Sequence, residues 1–139
     1  MPFKGEAQRC PNRSKAAAYG AVRYEATAKP VFALHCYCRQ CQHLAGAGHA
    51  SQFALPSASV TLHGKVSKFE MKAESGNSVT SAFCPVCGSP IFKQSEGYPQ
   101  FKAFHAATLD DPSLFEPQQS VWTSQRQRWD LVDETLPTK

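Results

Sequence analysis

The stretch Val31-Phe32-Ala33-Leu34-His35-Cys36-Tyr37-Cys38-Arg39-Gln40-Cys41 decides how this 139-residue chain is read. Its first half is a short apolar run of strand type, and its second half is Cys-x-Cys-x-x-Cys. Side chains alternate faces along a strand, so Cys36 and Cys38 project to the same side. A helical turn expected over residues 39–45 brings Cys41 round to the same point. Thiolates gathered this way suit one tetrahedral ion, with sulfur–metal distances of ~2.3 Å. Soft sulfur selects zinc, copper(I) or iron–sulfur clusters over magnesium or calcium. Three ligands leave a fourth position open, which is the pattern of a catalytic zinc. The competing reading is a closed structural site completed by His35, His43 or a distant cysteine.

A second group, Cys84-Pro85-Val86-Cys87-Gly88, has the form of a zinc knuckle, with Gly88 letting the chain turn away beneath the sulfurs. It is half a site. By spacing, its natural mate is Cys38-x-x-Cys41, which would make one closed zinc ribbon and leave Cys36 over. The pair read without metal is simply a reduced or redox-active dithiol. Cys10 stands alone and reads as an ordinary thiol or as a third ligand to Cys84 and Cys87. Of the five histidines, His43 is the best placed. His35, His49, His63 and His105 read as core or surface residues, and Trp122 and Trp129 as core or rim packing.

Around the cysteines, helix signals are scarce. Short β-type runs separated by Gly, Pro, Ser and Asn are common. Strands are expected at 21–26, 31–35, 59–63, 65–72, 79–83, 91–92, 101–109 and 121–122, with turns at 75–78 and 110–113. The tail 133–139 is polar and reads as loosely held. The pattern is all-β, or β-rich with few short helical turns, in one domain over 1–139 with its core at about 19–129. A chain of this length buries ~70% of its unfolded surface, so its fold does not depend on a metal. No apolar run approaches the ~20 residues of a membrane span. The first ten residues lack the apolar segment of a secretory signal, which makes the cytoplasm the expected compartment. There, clustered cysteines read as metal or redox sites before disulfides. The formal charge is +4, from 15 basic and 11 acidic residues, with no basic cluster. That argues against nucleic acid and is compatible with a small anionic substrate. No phosphate-binding glycine loop or Ser/His/Asp arrangement is present.

Taken in order, Gly20-Ala21-Val22-Arg23-Tyr24-Glu25, the segment from His35 to Cys41, Ser75-Gly76-Asn77, the segment from Phe83 to Phe92 and Thr108-Leu109-Asp110-Asp111-Pro112 resemble one family. It is the family of glutathione-dependent formaldehyde-activating enzymes and centromere protein V. The likeness spans residues 19–129. It implies coiled antiparallel sheets holding two zinc sites, with the catalytic zinc on Cys36, Cys38 and Cys41. It also implies carbon–sulfur lyase chemistry that joins glutathione to formaldehyde, with a small thiol as partner. The family's structural zinc takes the later pair, here Cys84 and Cys87, and an earlier Cys-x-Cys. In this chain that earlier pair reads Ala17 and Tyr19, so half of the structural site's ligands are lost. Arg39 and Arg23 are candidate contacts for substrate carboxylates. The alternative function is a non-catalytic zinc-binding interaction module of the same fold.

Overall fold

The computed structural model describes residues 3–6 and 21–139. Cys10, Ala17 and Tyr19 lie outside the described residues, as does the question of whether Cys10 joins the Cys84 pair. The described residues form two sheets and one α-helix. The first sheet has the order β1 (Phe3–Glu6), β2 (Arg23–Ala26), β5 (Val60–His63). The second runs β10 (Gln119–Val121), β3 (Phe32–Cys36), β4 (Ala50–Pro56), β9 (Phe101–His105), β8 (Pro90–Ser95), β7 (Ser78–Phe83), β6 (Ser67–Lys72). Neighbours are antiparallel except β10, which runs parallel to β3. The β-rich architecture expected from the sequence is the one observed.

Register sorts the large sheet into two unlike faces. Paired residues on neighbouring strands point the same way. Phe53, Phe104 and Phe92 are cross-strand partners on β4, β9 and β8 and face the three-stranded sheet. They pack with Val22, Tyr24, Leu55 and Leu109 in the main core. The rings of Tyr24 and Phe104 lie 4.2 Å apart. Tyr24 anchors its hydroxyl on Thr108 at 2.7 Å, so its polar tip is satisfied inside the core. Each large apolar side chain so buried stabilises the fold by roughly 1.5–3 kcal/mol. The other face carries Phe32, Ala54, Ala103 and Lys93 as one row across four strands. This second face builds the site.

The helix α1 (Arg39–Ala45) falls where the sequence placed it. Cys38 caps its start, with Sγ accepting the Cys41 N–H at 3.3 Å. Gly46 ends it at φ 65°, a left-handed geometry that glycine adopts without steric cost, and its N–H closes on the Gln42 carbonyl at 2.9 Å.

Several expectations are corrected. Strand β4, a central strand of the large sheet, was not expected: Ala-Ser-Gln-Phe-Ala-Leu-Pro contains no β-branched residue, and burial on both faces replaces propensity. The strand expected over 101–109 stops at His105 and turns through a 3₁₀ segment, Ala106–Thr108. The tail is held rather than loose. Ser120 accepts from the Lys139 N–H at 2.8 Å and donates its own N–H to the Pro137 carbonyl at 2.9 Å. Neither tryptophan is core. Trp122 is 47% exposed and Trp129 72%.

Candidate metal centre and cavity

Cys36 ends β3, Cys38 caps α1 and Cys41 lies in its first turn. Their sulfurs all fall within 4.8 Å of one another. Cys36 and Cys41 are buried and Cys38 is half-buried. No fourth His, Cys, Asp or Glu joins them among the described residues. His35 instead bonds Ser51 Oγ through Nδ1 at 2.9 Å, and His43 meets Arg39 Nη2 at 3.2 Å. The donor set fits a soft metal ion: three thiols converge with one coordination position left for a ligand from outside. In the metal-free cluster the thiols share charge unequally. Hydrogen bonds from the Cys36 and Cys41 thiols pull Cys38 far below the ordinary thiol range. The reciprocal bonds to Cys38 and Cys41, reinforced by burial, push Cys36 up.

Lys93 supplies the cation. Its Nζ lies 3.1 Å from Cys41 Sγ. Burial alone would lower its pKa, but the negative charge of Cys41, with Cys36 and Cys38 behind it, outweighs that and raises it. Three thiolates on a divalent ion carry −1, and the Lys93 ammonium brings the sum to zero.

Cys36, Cys38 and Lys93 line a cavity of about 700 Å³. One wall is the start of α1, with Arg39 and Gln40. A further wall is the β6–β7 turn, with Glu74, Ser75 and Asn77, while the Lys72 ammonium turns away to Ser78 Oγ at 3.2 Å. Gln40 Nε2 donates to the Lys72 carbonyl at 3.3 Å and ties the two walls together. Trp122 and Gln125 close a third side. Trp122 sits at φ 57°, the one non-glycine in left-handed geometry among the described residues. Such conformations concentrate at functional sites. Gln42 secures this side from below. Its Nε2 donates to the carbonyls of Tyr37 at 2.7 Å and Gln125 at 3.0 Å, and its Oε1 accepts from Gln127 at 3.0 Å.

On the same sheet face, Gln52 and His105 are cross-strand partners. Both are buried, and the Nε2 of each has no hydrogen-bond partner. Burial and then the nearby Lys93 charge lower the His105 pKa from 6.5 to about 4. A histidine held neutral when folded contributes no penalty above pH 6.5 and destabilises progressively as pH falls towards 4, because the unfolded chain binds the proton first. Between those limits wild type should lose about 3 kcal/mol that His105→Leu does not. Urea denaturation at half-unit pH steps checks this, and parallel pH profiles for the two proteins would refute it.

The sequence-derived candidates are placed as follows. Cys36, Cys38 and Cys41 come together, and Arg39 lines the cavity beside them. Arg23 does not: it lies on β2 in the other sheet, 3.4 Å from Asp110. Its pairing assigns it to holding the 108–112 segment rather than to substrate. Cys84 is fully buried in the main core, and Cys87 is exposed with Sγ 3.1 Å from Ser89 Oγ. Gly88 at φ 76° makes the knuckle turn, with its N–H on the Cys84 carbonyl at 2.8 Å. The ribbon pairing of Cys38 and Cys41 with Cys84 and Cys87 is not formed, because the first group closes on Cys36 instead. Among the described residues no third His, Cys, Asp or Glu completes a set with Cys84 and Cys87. Lys93 and Trp122 were missed as site residues. Simple alternation does not mark Lys93, because the β7–β8 register shifts near Ile91, which packs in the main core beside Phe92.

A β-rich fold whose helix start gathers three thiols at a cavity defines a class of proteins able to hold a soft metal ion on sulfur. Within that class the comparison is specific. The family model for glutathione-dependent formaldehyde-activating enzyme matches residues 14–125, and the chain belongs to that family. A crystal structure of a Rhodobacter sphaeroides protein, a structural genomics target, has a similar fold. Its TM-score is 0.57 at 18% identity, covering 82% of this chain and 96% of that one. A search of curated protein sequences finds no match. Among the described residues no helix is long and apolar enough to cross a membrane.

Proposed function

We propose that the chain is a zinc-dependent enzyme of carbon–sulfur lyase type. It would make and break the adduct between glutathione, or a related thiol, and formaldehyde or another small aldehyde. The observation that carries this reading is the convergence of three thiols and the Lys93 ammonium at the wall of one cavity. An interaction module needs a surface, not a charged hollow at its metal ligands, so the cavity favours an enzyme.

Cys36, Cys38 and Cys41 would hold the zinc, which when bound supplies Lewis acidity and keeps a substrate thiol ionised. In the reaction the substrate sulfur attacks the carbonyl carbon and a carbon–sulfur bond forms. The carbonyl π pair moves to oxygen, and the thiol's proton ends on the new hydroxyl. Lys93 faces the cavity beside Cys41 and stabilises the charge that grows on that oxygen. Arg39 matches a carboxylate of glutathione, and Glu74 its ammonium. Trp122 restricts water on the open side.

Zinc-loaded protein should accelerate adduct formation between glutathione and formaldehyde, followed by NMR exchange at equilibrium. Acceleration should disappear on chelation and return with zinc. An unaccelerated exchange rate in fully zinc-loaded protein would sink the proposal.

A further inference from the structure

Formaldehyde makes poor use of this cavity. A one-carbon carbonyl is little larger than a water molecule, whose share of liquid volume is about 30 Å³. The cavity measures about 700 Å³. Its interior is also divided by chemistry. Arg39 and Glu74 occupy the lip formed by α1 and the β6–β7 turn. The floor is apolar and belongs to the large sheet: Phe32, Ala54 and Ala103 lie in one register row, with Phe101 and Val79 on the next. That row reaches Lys93 and continues to Ser81 and Phe69, and Cys36 lies two positions along the same face of β3 from Leu34 and four from Phe32. From Phe32 to Lys93 the row crosses three strand spacings, or about 14 Å. Alanine at position 103 leaves the hollow open, and a larger side chain there would occupy it; Trp122 walls the same space. Ala54 is fully buried beneath that floor.

Glutathione is a polar tripeptide and gains nothing from an apolar floor, whereas its charges suit the lip. The floor therefore fits the other half of the adduct. We infer that the carbonyl substrate carries a hydrocarbon substituent, phenyl or a chain of several carbons, which lies on Phe32, Phe101 and Ala103 while its carbonyl meets the Cys36–Lys93 end. The inference rests on the thiol–aldehyde reading above and extends it to a substrate class. The chemistry is unchanged and needs no co-reactant: thiol and aldehyde give a hemithioacetal, with the thiol's proton on the new hydroxyl.

Two stable thioethers test the floor without turnover. Calorimetric titration of zinc-loaded protein should show S-benzylglutathione binding about ten- to a hundredfold tighter than S-methylglutathione, as burial of one ring predicts. Ala103→Leu, which fills the floor, and, independently, Phe101→Ala, which removes its ring, should cut that ratio at least about fivefold. Rates should follow: kcat/KM for phenylacetaldehyde over formaldehyde should exceed unity in wild type and fall in both variants. Equal affinity of the two thioethers for wild type overturns the inference whatever the variants do, and leaves the thiol reading standing. A ratio that survives in a folded variant, judged by near-ultraviolet circular dichroism, also overturns it. Failure of either thioether to bind at millimolar concentration removes the thiol reading itself.

Discussion

Cys41→Ser is expected to abolish stoichiometric zinc binding and, with it, adduct formation. Structural zinc sites of four ligands bind with roughly 10–16 kcal/mol, or about 2.5–4 kcal/mol per ligand. Loss of one ligand then weakens affinity by two to three orders of magnitude. The effect here is larger than for a four-thiolate site, since only two protein ligands remain. Cys41 is also fully buried and receives the Lys93 ammonium, so the substitution leaves that cation without its sulfur partner. Zinc content after dialysis against a weak chelator checks the first consequence, and NMR exchange the second. Cys87→Ser is the control, because Cys87 stands apart from the three-thiol cluster. Equal zinc retention in wild type and Cys41→Ser would show that the metal is held elsewhere.

The second large effect is expected at Lys93. Lys93→Met keeps the length of the side chain and removes the charge. Outer partners of metal ligands are typically worth ten- to a hundredfold in affinity, and zinc binding should weaken by that amount. Adduct formation should fall further, by about a hundred- to a thousandfold, since the same ammonium is assigned to the developing oxyanion. A readout independent of turnover is available in the metal-free protein. Without Lys93 the thiols lose a neighbouring positive charge, so alkylation by iodoacetamide at neutral pH should slow. Lys93→Arg should restore much of the alkylation rate but less of the catalysis, because a planar guanidinium does not place its charge as the compact ammonium does. If Lys93→Met alkylates and binds zinc like wild type, the lysine has no part in the centre.

What the sequence made legible was local. Cys-x-Cys-x-x-Cys on a strand running into a turn predicts its own convergence, because alternation and one helical turn suffice. The β-rich class followed equally from short alternating runs. What stayed hidden depends on register between strands. Lys93 is 52 residues from Cys41 and meets it only because β8 lies two strands from β4 in the large sheet. Strand β4 itself escaped notice, since alanine and glutamine carry no β signal until both faces are covered. Arg23 looked like a site residue because it sits in a family motif, and the sheet to which β2 belongs takes it elsewhere. Of the core and rim readings given to the tryptophans, Trp122 takes the rim, at the cavity, where its backbone is left-handed.

The way Gln42 clasps Gln125 bears on how the protein is made. Its partner lies 83 residues further along the chain, and Lys93 reaches Cys41 across 52. At ~5–20 residues per second, the three cysteines leave the ribosome several seconds before the cation and the wall that complete their surroundings. During that interval they form a short, locally encoded thiol cluster without its counter-charge. An ion taken up by these three thiols would therefore be captured before the sheet closes, and the order of synthesis would make it a nucleus for folding.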